Sequence, residues 1–425
     1  MAHPISERTQ RTRCLLQGLS DYFSKQSREI TEHALFENEL SEEDKINIAP
    51  NGKPYRTYSQ SEMLEELNLK RGSKVAGRLA EKLGLDPSNS PYGGQWTVNL
   101  LERNKILQAY GQFLPFERTP TQELAIMIAS NLKGGSGKTS LVTLASTGLA
   151  IKASNMLRIG VIDLDSQGTC TRILLPKLKV DDPTADYTSV GDLIISDRIE
   201  VEEEEEFSSI VRSAFLETNY PNLKVLPAHA NDWHFELQSQ LEGMTKKNHT
   251  SYQPLQRIID EVREEFDVIF LDTPPALNEV SIGAHFVATH VLIPLRASEN
   301  DRDSTGKYLS GFNRIYRVMA EHGHPGYHDI KLVPSAIDKR SKTETDFELS
   351  YTVGLTGHMT ASIPANEAIK NTNEGLNTLF DISPSCYAGA NKTCAAAQIS
   401  LLPFIKSVEA MLASFWKTGV TIDEI

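Results

Sequence analysis

Apolar and polar positions divide the chain into a first part of short amphipathic stretches and a longer second part in which compact apolar runs alternate with helix-like segments. Residues 124–129, 157–162, 223–228, 266–271, 290–295 and 330–337 are dominated by Leu, Ile, Val, Phe and Ala and end in polar or glycine-bearing loops. Runs of that length read as strands buried on both faces. Residues 141–151 and 393–417 carry apolar residues at helical spacing and read as helices. Strands alternating with helices predict an α/β fold with a doubly wound, mostly parallel sheet, whose ligands sit at the C-terminal ends of the strands.

The first part reads differently. Leu15, Leu16, Leu19, Tyr22, Phe23 and Ile30 predict a helix over 6–36. Its apolar stripe needs a partner, either its own domain or a second subunit. Residues 37–54, acidic and then Pro- and Gly-bearing, read as a linker. Ser59 with Glu62 three residues on is a capping box that opens a helix with Met63, Leu64 and Leu67 on its inner face. After Gly72, Ser73 is placed to cap a second helix over 74–83. Two short helices around a glycine turn read as a helix-turn-helix, or as a small helical domain with a solvated basic face. The stretch 91–97 reads as a wing built on a β-turn, and 99–111 as another helix. Residues 115–121, with Pro115 and Pro120, read as the linker into the second part.

Candidate chemistry begins where the 124–129 strand breaks into Lys133-Gly134-Gly135-Ser136-Gly137-Lys138-Thr139-Ser140. Strand, glycine loop, Lys-Thr and helix form a phosphate cradle. Glycines let successive N–H groups turn inward, the helix N-terminus adds positive potential, Lys138 reaches the β- and γ-phosphates, and the Thr139 hydroxyl sits on Mg²⁺. The 157–162 run ends in Asp163-Leu164-Asp165, two carboxylates placed on one face at the end of a strand. The 266–271 run ends in Asp272-Thr273-Pro274-Pro275, a hard carboxylate suited to the outer shell of Mg²⁺.

The loop departs from the standard P-loop in one respect: Leu132 stands where the first glycine belongs, and Lys133 follows it. This form resembles the deviant Walker A loop of the ParA/MinD family of ATPases. Asp163-Leu164-Asp165-Ser166-Gln167 resembles the family's Asp-x-Asp-Pro-Gln motif, with Ser166 for proline, and Asp272-Thr273-Pro274-Pro275 matches its Asp-Thr-Pro-Pro. Ile363-Pro364-Ala365-Asn366 matches its Ile-Pro-x-Asn strand end. The resemblance covers roughly 121–417. It implies an ATPase that uses ATP and Mg²⁺, with Lys133 reaching across a homodimer to the partner's nucleotide. It further implies that Asp163 supports Mg²⁺ through water, that Asp165 positions the attacking water, and that Pro364 lies in the nucleotide pocket. The larger ParA proteins carry an N-terminal winged helix-turn-helix, which implies three regions here: 1–45 for dimerisation, 46–115 for DNA binding and 116–425 for the ATPase.

Function follows as an expectation from the same resemblance: partition of a plasmid or chromosome. The ATP-bound dimer binds DNA without sequence preference, a ParB-type centromere-binding protein stimulates hydrolysis, and the N-terminal domain represses its own operon. Candidate DNA contacts are Lys70, Arg71, Lys74, Arg78 and Lys82 in the first part, and Arg340, Lys342 and Lys370 in the second. Some relatives carry an arginine for DNA two residues after the asparagine of Ile-Pro-x-Asn; here the place is Ala368, with Lys370 following, which implies a contact rebuilt from other residues.

Charge changes this picture only locally. The chain carries net charge −13, which argues against whole-molecule attraction to DNA or anionic lipid. From 51 to 85, however, seven Lys and Arg face four Asp and Glu, a local +3. The four cysteines show no metal spacing and read as reduced thiols in the cytoplasm, and the resemblance implies a nucleoid-associated protein. No apolar run approaches a membrane span, and no signal peptide is expected. Three rivals remain: a MinD-like membrane-positioning ATPase, which needs a basic amphipathic C-terminus; a nitrogenase-iron-protein-type reductase, which needs bridging cysteines; and an ATP-sensing transcriptional repressor.

Overall fold

The computed structural model describes residues 47–91, 96–182, 184–196, 204–232 and 252–417, with helical positions 14, 17–19, 21, 22, 25 and 29. Most of the expected N-terminal helix and the tip of the expected wing lie outside the described residues.

The first part is built as its capping signals require. Strand β1 (Thr57–Ser59) leads into α1 (Gln60–Glu66), where Ser59 and Glu62 close the capping box. Gly72 turns the chain at φ +85° into α2 (Val75–Lys82). Here the sequence reading needs correction: Lys74, not Ser73, is the N-cap, and the Ser73 hydroxyl reaches only the Val75 N–H, at 3.4 Å. Strand β2 (Thr97–Asn99) pairs antiparallel with β1, and Asn99 with Glu102 caps α3 (Leu100–Ala109). Tyr58, Met63, Leu67, Ala76, Ala80, Val98 and Ile106 are fully buried between these elements.

In the second part, β3 (Ala125–Ala129) is followed by α4 (Lys138–Lys152), β4 (Ile159–Asp163) and α5 (Thr169–Leu174). Next come α6 (Val190–Ser196), α7 (Glu204–Ala214), β5 (Leu216–Glu217), β6 (Leu223–Leu226) and α8 (Gln253–Glu261). Then follow β7 (Val268–Asp272), α9 (Glu279–Val287), β8 (His290–Leu295), α10 (Glu299–Glu321) and β9 (Asp329–Ile337). The described part closes with α11 (Lys342–Gly354), β10 (Ile363–Pro364), α12 (Glu367–Glu374) and α13 (Asn391–Lys417). The sheet order is β10-β9-β8-β3-β7-β4-β6-β5, parallel except for the β5–β6 pair. This is the doubly wound fold that the alternation predicts. Side chains alternate across it. Ala125, Met127 and Ala129 join the core beneath α4, α5 and α13, and Ile126 and Ile128 join the one beneath α8, α9 and α10. The C-terminal ends of β3, β7 and β4 lie side by side, where a doubly wound sheet binds its ligands.

Two stretches that read as linkers are packed. Within 47–54, Asn47, Asn51 and Lys53 are buried, and Ile48 bridges Pro54. Within 115–121, Pro115 bridges Met156, Phe116 stacks on Trp416 at 4.5 Å, and Arg118 pairs with buried Asp267 at 3.4 Å. Tyr58, Met63 and Phe113 share one continuous core with Leu141, Leu149 and Phe404. The first part is therefore joined to the sheet by a common interior.

Helix α13 is long and apolar enough to cross a membrane by length and composition. Here it is a core helix: Leu401, Phe404, Ile405, Val408 and Leu412 are completely buried. It lies so close to α4 that a Cβ on Gly148 would stand 2.5 Å from Ile405 Cδ1 and 3.3 Å from Phe380. Gly148→Val is therefore expected to cost about 1–3 kcal/mol by overpacking. Thermal unfolding checks this, and adding Ile405→Ala should return part of the loss. Equal melting of Gly148→Val and wild type would mean that the contact yields freely.

Candidate nucleotide site

The loop between β3 and α4 turns on glycine. Gly135 (φ +70°) and Gly137 (φ +97°) hold left-handed conformations that disfavour a Cβ, and Gly137 is the N-cap of α4. Beyond the chain neighbours, no atom lies within 4 Å of where a Cβ would sit on Gly134, Gly135 or Gly137. A cavity of about 1050 Å³ runs along Ser136, Gly137, Thr139 and Ser140 to Arg296, the 335–340 loop and Pro364. Arg340 and Lys370 also line it.

Beside the loop is a cluster of charge. Asp163 and Asp272 are directly opposite in register on β4 and β7, and both are fully buried. Asp163 accepts from the Thr171 N–H (2.8 Å) and hydroxyl (2.7 Å) and from the Asp165 N–H (3.2 Å). Burial pushes its carboxyl up to about 7. Asp272 is different: neither carboxylate oxygen accepts a hydrogen bond of ordinary geometry. Burial, then the neighbouring Asp163, pushes it well above the ordinary carboxylate range, with the Thr139 hydroxyl and Lys138 pulling the other way. A buried carboxylate with two unpartnered oxygens, next to a threonine hydroxyl, is a donor set that fits Mg²⁺. Asp165, half-buried, lies past the end of β4 and takes the Gln167 N–H at 3.0 Å.

The two loop lysines are parked on this chain's own groups. Lys138 donates to the Asn131 carbonyl at 3.0 Å. Burial pushes its ammonium down, while Asp272 and Asp165 support the charge. Lys133 pairs with Asp301 at 2.8 Å, at the start of α10. Asp301 is one of three α10 residues that touch the loop entrance. Thr305 meets the Asn131 amide at 3.4 Å, and the Tyr308 hydroxyl donates to Ser130 at 2.8 Å. His285 Nε2 lies 2.8 Å from the same Ser130 hydroxyl, and burial drives its imidazole down to about 3, so it stays neutral.

Asn131, Thr171, Arg296, Asp301 and Tyr308 are site neighbours that sequence reasoning did not find. Ser298-x-x-Asp301 was a readable signal, since Ser298 caps α10 through the Asp301 N–H at 3.1 Å. The candidate DNA residues fall into two groups, one around α2 and one beside the cavity. Lys70, Arg71, Lys74, Arg78 and Lys82 are exposed on α1–α2, with Lys74, Arg78 and Lys82 at four-residue intervals. Arg340 is held by Asp338 at 3.0 Å, Lys342 is exposed at the start of α11, and Lys370 stands 3.7 Å from Glu374.

A family model described as an AAA domain matches residues 124–320. The chain is 25% identical over 286 residues to a Sinorhizobium fredii protein provisionally described as replication protein A, covering 64% of this chain and 66% of that one. It thus spans just under two thirds of that relative's length. It is 26% identical over 311 residues to the plasmid partition protein A of Escherichia coli, covering 69% and 73%. It is 27% identical over 176 residues to the chromosome partitioning protein ParA of Caulobacter vibrioides, covering 41% and 56%. A solved structure described as a partition protein superposes with TM-score 0.58 at 19% identity over 85% of this chain and 93% of that one, a likeness of fold. With the deviant lysine loop and the paired strand-end aspartates in place, residues 124–320 carry an AAA-type domain similar to that of plasmid and chromosome partition ATPases of the ParA type.

Proposed function

We propose that this protein is an Mg²⁺-dependent ATPase that partitions DNA, binding it as an ATP-closed homodimer and releasing it on hydrolysis. The observation that carries the reading is Asp272, fully buried with both oxygens unpartnered beside Thr139 at the foot of the glycine loop. Mg²⁺ held at Thr139 and backed by Asp272 and Asp163 would offset phosphate charge. Lys138 leaves the Asn131 carbonyl for the phosphates, the 134–140 backbone cradles them, and Pro364 borders the base. Asp165 orients the attacking water. Phosphoryl transfer of this kind needs position and charge more than covalent chemistry.

The test is ATP turnover by the full chain. Lys138→Ala and Asp165→Ala should each lower it by at least about 10²-fold. Wild-type turnover in the Lys138→Ala protein would end the reading.

In the same proposal, Lys133 serves the partner's nucleotide, so its pairing with Asp301 must break before the dimer closes. Because Lys133 is 37% exposed, that ion pair is a weak brake, worth at most about 1 kcal/mol. Asp301→Ala is therefore expected to tighten ATP-dependent dimerisation by up to about fivefold, read by sedimentation. Weaker dimerisation would assign Asp301 to the closed state instead.

The exposed basic stripe of α2 supports a DNA-reading role for the N-terminal unit, including repression of an operon. Arg340, Lys342 and Lys370 are proposed for the sequence-independent contacts, and a ParB-type protein as the stimulating partner. Such a protein works on the nucleoid in the cytoplasm. Binding to vesicles of anionic lipid in the presence of ATP would favour the membrane-positioning alternative.

A further inference from the structure

Two helices build the proposed phosphate and magnesium site, and the N-terminal unit grips each of them at its far end. Helix α4 carries Lys138 in its first turn. In its last turn, the Ile151 carbonyl accepts from Arg103 Nη2 at 2.9 Å. That carbonyl is one of the last four, which have no partner inside their own helix. Arg103, on α3, is fixed in turn by Glu66 (2.5 Å) and Asn104 (2.8 Å), with its guanidinium near the Tyr58 and Phe113 rings. Glu66 also pairs with Lys152, the last residue of α4. Helix α5 carries Thr171, which holds Asp163. At its last residue, the Leu174 carbonyl accepts from Asn51 Nδ2 at 2.8 Å. Asn51 also donates to Asn219 at 3.0 Å and accepts from the Lys53 N–H at 3.2 Å, and Lys53 is locked to Asp381 at 2.8 Å.

From these contacts we infer that Asn51 and Arg103 are positioning residues of the nucleotide site, through which ATP occupancy and the N-terminal unit are coupled. This rests on the ATPase reading above. Helix α4 has 15 residues and spans about 22 Å, and a helix carries a displacement of its loop end to its other end with little loss. Helix α5 reaches from Thr171 to the Asn51 grip in about one turn. The gripping residues are buried, so they answer a shift by repacking and not by sliding through water. Arg103 also lies on the helix that packs against α2, whose outer face bears Lys74, Arg78 and Lys82. Linkage is reciprocal: whatever nucleotide does to this unit, the unit does to nucleotide affinity.

The test uses the full chain. Hydrogen exchange of amides 47–109 is measured with and without Mg²⁺ and a slowly hydrolysed ATP analogue, beside the equilibrium affinity for that analogue. Asn51→Ala removes one grip, and Arg103→Lys keeps a charge for Glu66 but loses the planar fork that also serves Ile151. In the wild type, the analogue should change protection within 47–109. Each variant should lose that response and bind the analogue between about 5- and 150-fold more weakly. A purely structural role would lower stability and leave the nucleotide response intact. If Arg103→Lys fails to fold, Asn51→Ala and the wild-type response decide. A wild type that binds the analogue without any change in 47–109 overturns the coupling and leaves the ATPase reading standing. Variants with wild-type affinity and response overturn the assignment of these two residues. A wild type that binds no analogue overturns both.

Discussion

Asp381→Ala is expected to destabilise the protein by about 3–5 kcal/mol, the cost of breaking a buried ion pair on one side. Four donors converge on this carboxylate: Lys53 Nζ at 2.8 Å, the Tyr220 hydroxyl and Asn219 amide at 2.6 Å, and the Thr378 N–H at 2.5 Å. Burial alone would raise the Asp381 carboxyl, but the Lys53 charge and these hydrogen bonds hold it below its ordinary value. Its contribution is thus present above the unfolded value near 3.8 and is lost as pH falls through the lower folded value. Alanine leaves the Lys53 ammonium, 2% exposed, without its counter-charge. Adding Lys53→Met should recover most of the loss, because an apolar pair of similar size has no charge to bury. Urea unfolding of the two single variants and the double variant checks this. An Asp381→Ala protein within about 1 kcal/mol of wild type would contradict it.

Asp272→Asn is expected to do the opposite to stability while ending Mg²⁺-dependent turnover. An unfolded aspartate ionises near 3.8, whereas here burial pushes Asp163 to about 7 and Asp272 well above its ordinary range. Between those values the folded chain holds protons that the unfolded chain has released. Stability therefore falls as pH climbs from about 4 through about 7, where Asp163 ionises, and goes on falling until Asp272 has lost its proton. Asparagine has no proton to lose, and its amide oxygen can still accept from the Thr139 hydroxyl. Without magnesium, the variant should outlast wild type at pH 8, and the difference should close towards pH 4. Magnesium should raise the melting temperature of wild type and leave the variant unmoved. A pH-independent difference would place the stabilisation elsewhere.

The parts that were legible in the sequence are those with a local signature. The strand runs and the glycine loop declare themselves by length, alternation and the order of motifs. The boxes at Ser59–Glu62 and Asn99–Glu102 cap helices because donor and acceptor are three residues apart. What stayed hidden depends on residues far apart in sequence. Residues 47–54 looked like a linker because Pro50, Gly52 and Pro54 punctuate them, and nothing nearby marks Asp381 or Leu174 as the partners of Lys53 and Asn51. Asp301 is equally remote from Lys133, and Thr171 bears no motif that would tie it to Asp163. Polar groups satisfied at long range leave no periodicity to read.

The most direct test of the central claim is binding to random-sequence duplex DNA with ATP, with ADP and without nucleotide, at two salt concentrations, beside Lys138→Ala. The account predicts tight binding with ATP alone, weakening steeply with salt as phosphate contacts release counterions, and absent in the variant. Binding of equal strength in all three nucleotide conditions would contradict it, and would leave the α2 face as a DNA reader that nucleotide does not govern.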